Sequence, residues 1–152
     1  MGRHQCAFCQ IAGEHTEDAI VVHRDERVIA FMDTSPVTPG HVLVAPREHA
    51  NGLEDLNPHL GAHTWLVAHR VARGLRRSGL RCDGVNILLS DGSAAFQDVF
   101  HVHLHVIPRY HRDSFRIEAE WLERDSDMLE SDAVAVRAGL RDLMSEGPVV
   151  ST

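Results

Sequence analysis

Three imidazoles alternate with apolar residues in the run His101-Val102-His103-Leu104-His105-Val106, which closes on Pro108-Arg109. On an extended chain, residues i, i+2 and i+4 face the same way. The three rings would therefore line one face, with Val102, Leu104 and Val106 packing behind. A single such histidine usually lies on the wet side of a sheet; three in succession, beside a loop of small residues, point to chemistry. One shared metal ion fails on reach. At a rise of about 3.4 Å per residue, the Cα atoms of His101 and His105 lie about 13–14 Å apart. A histidine reaches only roughly 6–6.5 Å from its Cα to an ion. At most two neighbours could share a metal, so the three should have different jobs. A neutral imidazole becomes a nucleophile when one nitrogen is held as a donor and the other is left bare. Its best electrophile is a phosphoryl group, whose non-bridging oxygens collect charge that flanking imidazoles can meet.

The rest of the composition narrows the chemistry. The chain has no lysine, and all fifteen basic residues are arginines. This removes P-loop, Schiff-base and pyridoxal-lysine chemistry. Any anion must be held by Arg, His or backbone N–H. A net charge of −7 argues against nucleic acid as a partner. No apolar run is long enough to span a bilayer. The start of the chain lacks the apolar core of a signal peptide. A soluble, cytoplasmic protein is expected. Three cysteines are an odd number, which fits a reducing compartment and not a disulfide framework. Cys6 and Cys9 form a C-x-x-C pair, a metal or redox signal, and no βαβ pattern follows it.

Elements must position these groups. Residues 20–33 read as a hairpin turning at His23-Arg24-Asp25-Glu26, and 41–46 as a strand stopped by Pro46. Asn57-Pro58 caps a helix that runs toward Ser78-Gly79. Its apolar side would be Leu60, Trp65, Leu66, Ala68, Val71 and Leu75, with Arg70, Arg73 and Arg77 forming a solvated stripe. Residues 85–89 and 101–108 are strands, and 132–145 is a helix capped by Ser131 or Asp132. The fold class is α+β: about five antiparallel strands, one long helix and a C-terminal helix, in a single domain of 152 residues. Its core spans about 6–110 and its C-terminal extension about 111–152.

The H-x-H-x-H run resembles the signature of the histidine triad (HIT) superfamily of nucleotide hydrolases and transferases. FMDTSPVTPGHVLVAPREH (31–49) and SDGSAAFQDVFHVHLHVIPR (90–109) are similar to its two main blocks. CAFCQI (6–11) is similar to the start of its zinc-bearing bacterial members. The resemblance implies a HIT-like fold, a homodimer, and cleavage of a purine nucleotide conjugate that yields a product of the AMP type. It implies that His103 is the nucleophile, forming a nucleotidyl-histidine at the α-phosphorus. His105 and His41 would hold the phosphate, and Gln97 would lie near the scissile bridge. Asp33 would bind the ribose, and Phe8, Ile11 and Phe31 would wall the base. Structural zinc would take Cys6, Cys9, His49 and His101.

Three positions depart from the common pattern. Phe96 and Asp98 flank Gln97 where many members carry Gly and Ser or Thr, and Ser90 stands where phosphoramidase-like members carry Asn. Pro108-Arg109 is instead similar to the dinucleoside-polyphosphate branch. A diadenosine polyphosphate or similar conjugate is therefore the first expected substrate, and an adenosine phosphoramidate the alternative. A nucleotide-binding protein with little turnover is the reading from another class.

Overall fold

The computed structural model describes residues 6–13 and 19–145. The chain divides into two compact units, one ending at Phe115 and the other starting at Arg116. In the first, α1 (Ala7–Ala12) precedes strands β1 (Val21–Arg24), β2 (Val28–Met32) and β3 (Val42–Pro46). Then come α2 (Pro58–Leu75), β4 (Gly84–Leu89) and β5 (Leu104–Arg109). The five strands form one antiparallel sheet in the order β1-β2-β3-β5-β4. The α+β expectation and the strand number hold.

The two faces of the sheet follow from period-two alternation in β2, β3 and β5. Val28, Ala30, Val42, Val44, Leu104 and Val106 face α2 and pack on Leu60, Val67, Ala68 and Leu75. Ile29, Phe31, Leu43 and Ala45 face the other way, against Phe8 and Ala12 of α1. Each fully buried aliphatic side chain of this kind stabilises the fold by about 1.5–3 kcal/mol. Asn57 caps α2 as expected, its Oδ1 accepting from the N–H groups of His59 and Leu60 at 2.9 and 3.2 Å.

Four details correct the sequence reading. The hairpin turns at Asp25–Arg27, because β1 already includes His23 and Arg24. Asp25 Oδ1 holds that turn by accepting from the N–H groups of Arg27 and Val28. On α2, Trp65 (54% exposed) and Leu66 point away from the sheet, whereas Thr64 and Val67 are buried. The true stripe is 60, 64, 67, 68, 71 and 75, and Trp65 and Leu66 sit one and two steps around the helix from it. β5 begins at Leu104, so His101 and His103 precede it. Pro46 ends β3 and has no N–H for the ladder. The backbone of Val102 bonds instead to the Ala50 carbonyl at 2.8 Å.

The second unit carries α3 (Ser126–Ser145), which starts six residues earlier than expected. Asp125 caps it, its Oδ1 accepting from the Met128 N–H at 2.9 Å. Asp132, the expected cap, pairs with Arg124 at 2.7 Å instead. Among the described residues, no helix is long and apolar enough to cross a membrane.

Candidate functional site

The chain leaving β3 and the chain entering β5 run side by side, so His49 meets His101. α1 lays Cys6 and Cys9 over both. The Cys6 and Cys9 Sγ atoms each lie 3.5 Å from His101 Nδ1, and Cys9 Sγ lies 3.2 Å from His49 Nδ1. Sulfur and nitrogen bound tetrahedrally at about 2.3 and 2.05 Å would stand about 3.5 Å apart, so the four atoms fit one metal ion. The remaining ring nitrogens are held from behind. His101 Nε2–H donates to the Pro46 carbonyl at 2.8 Å, and His49 Nε2 meets Asn51 Oδ1 at 3.2 Å. Asn51 Nδ2 donates in turn to Asp55 at 2.9 Å. Such outer bonds fix the tautomer that points a bare Nδ1 at an ion. His101 is fully buried. Nothing local in the sequence marks Asn51, Asp55 or the Pro46 carbonyl for this role.

Although β5 starts late, the alternation of the triad survives. The Phe8 ring packs on both His101 and His103, with centroids 5.9 and 5.0 Å away, and the His103 and His105 rings lie 4.8 Å apart. Phe8 sits between the two cysteines in sequence. The metal-type cluster therefore also sets one wall of the neighbouring pocket.

That pocket, about 470 Å³, is lined by Phe8, Ile11, Phe31, Leu43 and Val99 on its apolar side. Asp33, Thr34, Ser35 and Asp98 line its polar side, with His103 and His105 at its floor and Phe96 also in its lining. Among the described residues, no arginine contributes to this lining. The His103 Nδ1–H donates to the His101 carbonyl at 2.7 Å. This holds the tautomer that leaves Nε2 bare. Burial keeps His103 below the ordinary histidine pKa, although the His101 carbonyl, Asp33 and Asp98 oppose it. The ring is neutral at pH 7, as a nucleophile needs.

His105 and His41 form a pair. His41 Nε2 lies 3.0 Å from His105 Nδ1, and the Val37 N–H donates to His41 Nδ1 at 3.3 Å. A bare His41 Nδ1 makes Nε2–H the donor to His105, which leaves the His105 Nε2–H to donate elsewhere. Burial, then His103 and His41, push the His105 pKa down to about 4. Burial likewise lowers that of His41, although Asp33, with its Oδ2 3.3 Å from Nδ1, opposes the shift. Gly40 sets His41 in place. Its φ is +94°, and a Cβ there would meet Leu80 Cδ1 at 2.8 Å.

The expected residues divide three ways. His103, His105, Asp33, Phe8, Ile11, Phe31 and Asp98 line the pocket, and Cys6, Cys9, His49 and His101 converge beside it. His41 stands behind His105 and outside the lining. Gln97 is buried as a loop clamp: Nε2 donates to the Asn51 and Val99 carbonyls at 2.7 and 3.2 Å, and Oε1 accepts from Gly92 N–H at 2.7 Å. Ser90 follows β4 and is not in the lining. Thr34, Ser35, Leu43 and Val99 line the pocket without having been marked by the sequence pattern.

An open antiparallel sheet thus carries His103 and His105 on the lining of a half-apolar pocket. The family model described as HIT domain matches residues 14–112. The chain belongs to the HIT domain family. It is 41% identical over 124 residues to an uncharacterized HIT-like protein of Mycobacterium tuberculosis, covering 80% of this chain and 84% of that one. It is 31% identical to the Adenylylsulfatase HINT3 of Arabidopsis thaliana, over 86% of this chain and 65% of that one. The crystal structure of a Zn-bound histidine triad family protein from Mycobacterium smegmatis superposes with a TM-score of 0.71 at 41% identity, covering 96% of this chain and 100% of that one.

Proposed function

We propose that this protein cleaves a purine nucleotide conjugate at its α-phosphorus through a covalent nucleotidyl-His103. The observation that carries the reading is the 2.7 Å bond from His103 Nδ1–H to the His101 carbonyl. It orients a neutral ring whose bare Nε2 serves as the nucleophile. In the first step the Nε2 lone pair forms a bond to phosphorus, and the leaving group departs with its bonding pair. In the second, water attacks phosphorus and gives up a proton, and the N–P pair returns to Nε2. The nucleoside monophosphate is released. His105 Nε2–H, held as a donor by His41, meets a non-bridging oxygen as charge builds there. Asp33 receives the ribose hydroxyls, and the apolar wall takes the base. Gln97 acts through the loop it clamps.

Candidate leaving groups are a second nucleotide on a polyphosphate bridge, an amine, sulfate or fluoride. Asp33 and Asp98, in a lining that has no arginine among the described residues, favour a leaving group of little negative charge, and so an amine conjugate over a polyphosphate. The same carboxylates support the reading of a binder with slow turnover. Zinc would be held by Cys6, Cys9, His49 and His101. Four protein ligands leave no open position, so the ion supplies folding energy and no reaction step. Exposed Trp65 on α2 and the sheet-edge position of β4 support a homodimer. The cysteine–histidine cluster fits the reducing cytoplasm.

The test is a rapid-quench experiment with an adenosine phosphoramidate. A burst of amine equal to the enzyme concentration, with an adenylyl group on His103 by mass spectrometry, is expected. Binding of AMP with neither burst nor adduct would leave only the binder.

A further inference from the structure

Phe96 is costly in two ways at once. Its backbone is left-handed, with φ 64° and ψ 30°, a region that β-carbon sterics disfavour for every residue but glycine. Its ring is 87% exposed, so it gains almost nothing from burial. The loop that carries it is not loose. The Ala95 and Phe96 N–H groups bond to the Gly92 and Ser93 carbonyls at 3.0 Å each, and the Gln97 amide ties the loop to Gly92, Asn51 and Val99. A rigid support thus presents an aromatic ring to solvent. Strain kept in this way marks a site of function more often than an accident of folding. The ring has a definite place. Phe96 lines the same pocket as His103 and His105, but at the rim, apart from the buried wall of Phe8, Phe31 and Leu43.

A base held against that wall, with its phosphorus at His103, must send the rest of the conjugate outward past the rim. Asp98, two residues along, lines that same pocket, and among the described residues no arginine does. A multiply anionic chain is disfavoured there, whereas a planar, weakly charged group would find a π face waiting.

We propose that Phe96 is a specificity-determining residue that stacks on an aromatic ring in the leaving group of the nucleotide conjugate. The ring would lie next to the scissile bond and carry little negative charge. This rests on the nucleotidyl-transfer reading only in placing the scissile phosphorus at His103.

The test uses two adenosine 5′-phosphoramidates of equal charge, of benzylamine and of ethylamine. Binding to His103→Ala, which does not turn them over, is measured by calorimetry. The benzyl compound should bind about tenfold tighter, as expected for one stacked ring. Adding Phe96→Gly should weaken benzyl binding about tenfold more than ethyl binding and so remove the preference, and Phe96→Tyr should keep it. Phe96→Gly should also leave the melting temperature the same or higher, because glycine adopts the left-handed backbone freely. Equal binding of the two amides, a benzyl preference that survives Phe96→Gly, or a melting temperature lowered by that change would each overturn the proposal. Failure of the underlying reading shows separately. The wild-type protein would then form no adduct on His103 while the benzyl preference persists.

Discussion

The cysteine–histidine cluster and the neighbouring pocket share one short stretch of chain, yet they treat their histidines in opposite ways. In the cluster, His49 and His101 have their Nε2 atoms occupied from behind and their Nδ1 atoms turned toward two sulfurs, within bonding reach of one ion. In the pocket, His103 has its Nδ1 occupied and its Nε2 bare. The His101 carbonyl that orients His103, the proposed nucleophile, belongs to the same residue whose ring lies in the cluster. Which nitrogen is tied back decides whether an imidazole closes a metal site or opens toward substrate.

The sharpest way to break this comparison is His103→Ala. Turnover should fall by about three orders of magnitude or more, while metal content and melting temperature stay at wild-type levels. Metal loss in this variant would show that the two regions are one. His105→Ala should slow the reaction by about tenfold to a thousandfold, as for one transition-state donor, again with metal retained. Single-turnover rates together with metal analysis test both variants.

His101→Ala should act on the other region first. Bound zinc should be lost and the melting temperature should fall, because the ion's binding energy adds to folding. Phe8 lies on the chain between the two cysteines and against His103, so KM should rise as well. Zinc at full occupancy in this variant, or none in the wild type, would refute the division of labour. Asp98→Ser should raise kcat/KM for a tri- or tetraphosphate conjugate by about three- to tenfold more than for a singly charged amide. Equal gains would show that the carboxylate faces away from the phosphates.

The smallest expected effect is that of pH. His105, with its pKa pushed down to about 4, remains neutral through pH 5–8, so the limb that its protonation adds to the activity profile should lie near pH 4. An acid limb at the ordinary histidine value of about 6.5 would mean that the ring is not held as described. The sign for stability follows from linkage. The unfolded chain takes up the proton first, so below about pH 6.5 it binds more protons than the folded one, and stability declines as pH falls from there toward 4. His41 is shifted in the same direction by its burial. Thermal melts between pH 4 and 7 check this.

Local pattern read much of the fold. Apolar and β-branched patterning with turn signals marked all five strands to within a few residues, and the Asn57 cap placed the start of α2. It failed where a local signal had rivals. Asp125, Ser131 and Asp132 are all plausible caps for α3, and only the pairing of Asp132 with Arg124 removes one. Trp65 and Leu66 are apolar and fall within a helix, but the angle at which α2 meets the sheet turns them outward. The triad looked like a strand from His101 because alternation persists, whereas strand pairing depends on a partner, and Pro46 ends that partner.

The sequence by itself determined that imidazole, and not lysine, must carry the chemistry. It determined that the triad cannot share one ion, since both conclusions follow from residue identity and the rise of an extended chain. Tertiary structure alone decided which nitrogen each histidine presents. The groups that tie back the other nitrogen are the carbonyls of Pro46 and His101, Asn51 Oδ1 and the ring of His41. Two of these four, the Pro46 carbonyl and the His41 ring, come from distant stretches of the chain. A backbone carbonyl leaves no mark in a sequence, and no local spacing records that residues 46 and 101 will meet.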